Sequence, residues 1–128
     1  MNQIWLCLLI TCFMPYLFAA AAKASGASGG RRYDNSDPRT WLAGLSGWPA
    51  RAQAAQANSW EALAIFIAGL VAALHGGVPE ADIVFWSWWF VVARVIYGAL
   101  YIANLATARS VVWLLAVYAP LHLIARVL

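Results

Sequence analysis

The stretch RAQAAQANSWEALAIF, residues 51–66, belongs to a very apolar chain but contains Arg51, Asn58 and Glu61. At about 100° per residue, Arg51, Asn58 and Glu61 fall within about 80° of one another on a helix. The spacing therefore predicts a polar stripe along one helix face. A cation, an amide and a carboxylate on one apolar helix could bind a charged ligand or take part in catalysis, because charges inside a membrane are costly and usually functional.

A second stripe lies later in the chain, in ARVIYGALYIAN. Arg94, Tyr97 and Tyr101 are spaced i, i+3 and i+7, so they share one face of a helix. Arg94 and Glu61 each lie about ten residues, or roughly 15 Å, from the same side of the membrane. We therefore expect Glu61 and Arg94 to meet at one level.

Arg109 opens the last apolar stretch on that same side. With the two stripes, it would complete a charged cavity open at one membrane surface. A plainer alternative is a buried pair, in which Glu61 and Arg94 neutralise each other and fix helix register. Arg109 also has a second interpretation, as an anchor at the membrane surface.

The elements that must position these residues follow from composition. The chain has 128 residues, of which 64% are hydrophobic and only 10% charged, and its mean hydropathy is +0.72. A bilayer-crossing helix needs about 20 mostly apolar residues. The sequence predicts an all-α, integral membrane four-helix bundle forming one domain over residues 1–128. The four predicted spans are residues 4–22, 52–75, 82–104 and 109–127.

Basic residues predict the orientation. Lys23, Arg31, Arg32 and Arg39 lie in the loop 23–50. By the positive-inside rule this loop is cytoplasmic and both termini lie outside. The basic excess indicates topology and contact with anionic membrane lipids, and no motif indicates nucleic acid.

Other readings of the first span receive less support. FAAAAKASG resembles a signal cleavage site, but a secretory signal begins with positive charge and this chain begins MNQ. Cys7 and Cys12 form no CxxC motif and have no histidine nearby, so we interpret them as packing residues and expect no metal site. His75 and His122 lie near the far ends of their spans, away from the polar cavity.

Four stretches, in this order and spacing, resemble the MAPEG family, the membrane-associated proteins in eicosanoid and glutathione metabolism. They are RAQAAQANSWE, YDNSDPR, ARVIYGALYIAN and ARSVVW. The resemblance covers nearly the whole chain and is strongest to the short bacterial members, which implies a bacterial inner membrane. Eicosanoid-forming members carry a second arginine where this chain has Ala54.

The resemblance implies a homotrimer with glutathione at the subunit interfaces, facing the cytoplasm. It implies a glutathione transferase or peroxidase acting on a lipophilic electrophile or hydroperoxide, with glutathione as co-substrate and no metal. By matched position, Arg109 would stabilise the thiolate with Ser110 beside it. The remaining matched positions would hold the tripeptide: Arg51, Asn58, Glu61, Arg94, Tyr97 and Tyr101.

A non-enzymatic alternative stays open at this point. The same four spans could serve a structural role or form a small exporter. Exporters of that kind use a carboxylate in the first helix, whereas the first span here carries no charge. Glutathione binding and turnover would separate the two functions.

Overall fold

The computed structural model describes residues 1–25 and 31–128, and its regular elements are five α-helices. They are α1 (Asn2–Ala24), α2 (Pro38–Ala43), α3 (Gly47–His75), α4 (Glu80–Ile102) and α5 (Ala106–Ala125). All except α2 are long and apolar enough to cross a membrane. The prediction of an all-helical chain with four membrane-crossing helices is confirmed. Residues 26–30, inside the predicted loop 23–50, lie outside the described residues.

The long helices alternate in direction, so the bundle has two ends. Segment 31–46 and the α4–α5 connection form the loop end, and the α3–α4 connection, residues 76–79, lies at the turn end. Both connections are short because one residue in each adopts a left-handed backbone, Gly77 at φ 72° and Asn104 at φ 63°. Glycine and asparagine are the residues that tolerate this conformation best.

Helix α3 is longer than a bilayer requires. Its 29 residues span about 43 Å, against a hydrocarbon core of about 30 Å. It begins at Gly47, whereas the predicted span begins at residue 52, with Pro49 in its first turn, where the missing N–H costs nothing. The extra turns lie at the loop end and carry Arg51.

The helices approach closely in the core where two phenylalanine rings stack and where glycine removes a side chain. Phe66 of α3 and Phe90 of α4 stack with ring centroids 4.3 Å apart and planes 3° from parallel. A Cβ on Gly69 would lie 2.7 Å from Pro120 Cβ and 2.9 Å from Pro120 O, so α3 and α5 approach here only because the side chain is absent. Gly98 of α4 packs in the same way against the ring of Phe18.

The loop end contains a short helix that the sequence analysis does not predict. Asp37 caps α2 by accepting a hydrogen bond from Thr40 N at 3.3 Å, and Pro38 follows in the first turn. Trp41 of this helix is 1% exposed, and its Nε1 donates to Arg31 O at 2.9 Å. Segment 31–46 is therefore folded on itself, and its Tyr33 ring lies 4.4 Å from the Lys23 ammonium at the end of α1.

Candidate functional site

A buried arginine lies at the centre of the polar residues. Arg94 on α4 is 1% exposed. Its Nη1 donates to Asn58 Oδ1 at 3.0 Å, and its Nη2 donates to Ser59 Oγ at 3.2 Å, both on α3. Ser59 Oγ in turn donates to Ala55 O. These bonds satisfy a cation that would otherwise be costly to bury.

Glu61 does not pair directly with Arg94, contrary to our expectation. Within residues 1–25 and 31–128, the ion pairs do not include these two side chains. Asn58 stands between them, because its Nδ2 donates to Glu61 Oε2 at 3.0 Å while its oxygen accepts from Arg94. Helical spacing predicted that Glu61 and Arg94 lie at the same depth. The Arg94 guanidinium instead contacts α3 at Asn58 and Ser59, about one turn nearer the loop end than Glu61.

Two arginines and two tyrosines contact one another in a row. Three of them are on α4, and the fourth, Arg109, is on α5. The Arg94 guanidinium lies 4.1 Å from the centroid of the Tyr97 ring, and Tyr97 meets Tyr101 edge to face at 5.6 Å. The Arg109 guanidinium of α5 lies 4.2 Å from the Tyr101 centroid. We call these four residues the arginine–tyrosine stack. Each cation lies over the electron-rich face of a ring, which holds it without a carboxylate.

A cavity of about 370 Å³ opens beside the arginine–tyrosine stack, within the usual range for small-molecule sites. Its lining residues are Asn58, Tyr97, Tyr101, Arg109, Ser110, Trp113 and Leu114. Five of these are predicted site residues. The hydroxyl of Ser110 donates to Ala106 O at 3.1 Å, so its oxygen faces the cavity as an acceptor.

Trp113 and Leu114 are cavity residues that the sequence analysis missed. Both follow Ser110 by one helical turn, at i+3 and i+4, so the same helix face carries all three. Nothing in their types separates them from the other apolar residues of α5. They give the cavity an apolar part of its wall on α5, next to Ser110.

Three predicted site residues, Arg51, Glu61 and the buried Arg94, do not line this cavity. Arg51 Nε donates to Ile102 O at 2.9 Å and so caps the last turn of α4. Glu61 is exposed on the surface of the single chain, halfway along a membrane-crossing helix. An exposed carboxylate at that depth is costly in hydrocarbon.

With this geometry in place, the comparisons identify the family. The MAPEG family profile matches residues 4–128, essentially the whole chain. The chain belongs to the MAPEG family. No curated protein matches it, and no solved structure matches it.

MAPEG membership includes glutathione-related enzymes and other members, so the family alone does not assign a reaction. In the two described parts of this MAPEG chain, no group of three or more histidine, cysteine, aspartate or glutamate side chains could hold a metal ion. The polar groups that line the cavity are one guanidinium, one amide, one hydroxyl and two phenols, which can bind an organic anion.

Proposed function

We propose that this MAPEG protein is a membrane-embedded glutathione-dependent enzyme. The observation that carries the proposal is the position of Arg109, whose guanidinium is held over Tyr101 at the edge of a cavity with polar and apolar walls. A fixed cation there would favour a bound thiolate. The apolar wall of Trp113 and Leu114 would receive a lipophilic electrophile or hydroperoxide arriving from the bilayer.

Glutathione matches the polar groups around the cavity. It carries two carboxylates, one ammonium and one thiol. Asn58, Tyr97 and Tyr101 offer hydrogen bonds from the cavity wall, and Arg94 fixes Asn58 and Tyr97 from behind. The exposed carboxylate of Glu61 suits the ammonium, and Arg51 at the loop end suits a carboxylate.

The chemistry proposed for Arg109 concerns one proton. A free thiol has a pKa of about 8.5, so at neutral pH most of it is protonated and unreactive. The guanidinium lowers the pKa of the bound thiol, and the proton leaves to solvent. With an aryl halide, the thiolate sulfur forms the new S–C bond and the halide leaves with the electron pair of the broken bond. Ser110 would donate a hydrogen bond to the thiolate by turning its hydroxyl from Ala106 O toward the sulfur.

We propose a homotrimer as the working assembly, with glutathione between subunits. The exposure of Glu61 at mid-membrane supports this, because a neighbouring subunit and a bound ammonium would remove the carboxylate from lipid. We further propose that the loop 23–50 faces the cytoplasm of a bacterial inner membrane, where the cavity would open toward soluble glutathione.

Arg109 provides the test. Calorimetry with purified protein should detect glutathione binding, and a dinitro-substituted aryl chloride should be conjugated. In Arg109→Ala, binding should persist, whereas the pKa of the bound thiol, followed by thiolate absorbance, should rise toward about 8.5. Turnover at neutral pH should fall, and the pH profile should move to higher pH because more base is then needed to form the thiolate.

Two further variants sharpen this result. Arg109→Lys keeps the charge but loses the planar fork that stacks on Tyr101, so it should restore turnover only in part. Arg39→Ala removes an exposed loop arginine away from the cavity and should change nothing. An unchanged thiol pKa in Arg109→Ala would remove Arg109 from the mechanism, and a wild type that does not bind glutathione would refute the function.

A further inference from the structure

A second cavity, of about 480 Å³, runs between α4 and α5 on the other flank of α5 from the candidate site. Leu115, in its wall, lies about 140° around α5 from Ser110 at about 100° per residue. We call this cavity the α4–α5 groove. Its lining includes Phe85, Trp88, Trp89, Val92, Ile96 and Leu115.

The α4–α5 groove presents almost no hydrogen-bonding group. The two indole N–H groups in its wall are already used within the chain. Trp88 Nε1 donates to Gln3 Oε1 at 3.0 Å, and Trp89 Nε1 donates to Leu115 O at 2.9 Å. A ligand selected by this wall is therefore a hydrocarbon.

The dimensions of the groove match one leaflet of a bilayer. From Phe85 to Ile96 the wall follows α4 for about 16 Å, roughly half of a hydrocarbon core of about 30 Å. Volume divided by length gives a mean cross-section of about 30 Å². A groove of this length admits an extended hydrocarbon chain along one leaflet.

A pair of charges lies at the turn end of the groove. Asp82 precedes Phe85 by three residues and so lies on the same face of α4, one turn farther out. Arg126 Nη2 lies 3.2 Å from Asp82 Oδ2, and the two side chains are 43% and 41% exposed. A guanidinium carries five N–H donors, so Arg126 retains donors that match a phosphate bidentately.

We propose that the α4–α5 groove is a phospholipid site, in which one acyl chain fills the groove and Arg126 binds the phosphate. The continuity of a leaflet-deep apolar groove with a guanidinium at headgroup level carries the proposal. The site is separate from the glutathione cavity and does not depend on the proposed reaction. Its ligand is a structural lipid of the leaflet at the turn end.

The test uses the full-length protein, delipidated in mild detergent and titrated with dioleoyl phosphatidylethanolamine. Native mass spectrometry counts the lipids retained per chain. We expect one lipid per chain in the wild type, and affinity about tenfold or more weaker in Leu115→Trp, which fills the groove, and in Arg126→Gln, which loses a charge-assisted contact. Leu121→Trp, an exposed position of α5 outside the groove, is the matched control and should bind normally.

Dioleoylglycerol has the same acyl chains but no phosphate. Its binding therefore distinguishes the contribution of the headgroup from that of the acyl chains. The wild type should bind it about tenfold more weakly than the phospholipid, and Arg126→Gln should bind the two equally. Equal retention by Leu115→Trp and Leu121→Trp would overturn the acyl-chain site. Equal wild-type affinity for the two lipids would overturn the phosphate contact. A changed number of chains per complex in Leu115→Trp would identify a second copy as the occupant and would also refute the proposal.

Discussion

Asn58 uses both ends of its carboxamide, and this decides how the site is held together. Its oxygen accepts from the buried Arg94, and its nitrogen donates to the exposed Glu61. An aspartate could not donate to Glu61, and an apolar residue could do neither. The charge on Arg94 is thus connected to the carboxylate through a neutral group, so that Glu61 keeps one oxygen for another partner.

We expect Asn58→Leu to lower the free energy of unfolding by about 1–3 kcal/mol or more, because it leaves a buried guanidinium N–H unpaired. Denaturant unfolding in detergent micelles would measure this. Gln56→Leu, a similar change two residues earlier on α3, should cost less because Gln56 lies outside this network. The double variant Asn58→Leu/Arg94→Leu should lose less than the sum of the single variants, and strictly additive losses would show that the two residues do not interact.

Helical periodicity predicted which side of each helix carries the polar residues, and Asn58, Tyr97 and Tyr101 lie at one cavity. It could not predict which atoms meet. The reach of a guanidinium is set by side-chain torsions, so Arg94 contacts Asn58 and Ser59 rather than Glu61. The roles of these residues toward glutathione stay predictions.

At the scale of elements, hydropathy predicted the four long helices but did not predict the residues at which they begin and end. The early start of α3 fits Pro49 in its first turn, a position that a hydropathy pattern does not register. Helix α2 has six residues and no membrane-length pattern, although the Asp37–Pro38 pair is a usual helix-start signal. Such short elements form because a tertiary contact, here that of Trp41, stabilises them.

The α3–α5 contact gives a prediction at this scale. Gly69→Ala gains helix propensity of up to about 1 kcal/mol but places a methyl group against the backbone of Pro120, which cannot move aside. We expect net destabilisation and a lower melting temperature. Gly98→Ala is the comparison variant, because its methyl meets the far end of one side chain, the Phe18 ring, which moves by a change at χ1, and meets no backbone atom. Equal losses in the two variants would mean that the Pro120 backbone is not the constraint.

The orientation of the whole molecule rests on where its charges lie. Segment 31–46 carries Arg31, Arg32 and Arg39 at the loop end, beside Lys23, whose ammonium lies 4.4 Å from the centroid of the Tyr33 ring. The turn end carries Glu80 and Asp82 in the first turn of α4. By the positive-inside rule, an asymmetry of this kind predicts that the basic end faces the cytoplasm.

Reporter fusions test this orientation. An insertion between residues 31 and 46 should report the cytoplasm, and a fusion after Leu128 should report the outside, because the basic loop resists translocation. Replacing Arg31, Arg32 and Arg39 by glutamine should weaken the bias and give mixed topology. The opposite pattern in the unmodified chain would place the cavity on the other side of the membrane and contradict a supply of cytoplasmic glutathione.

Helix α5 carries a charge near each end, and this makes it sensitive to hydrophobic mismatch. Arg109 and Arg126 are 17 residues apart along the sequence, about 26 Å along the helix, slightly less than an average hydrocarbon core of about 30 Å. Thicker bilayers must thin locally, or the helix must draw one guanidinium inward. The thickness of the surrounding membrane therefore acts on the contact between Arg109 and Tyr101. Lipids with longer acyl chains would pull on this contact and so change the geometry of the site.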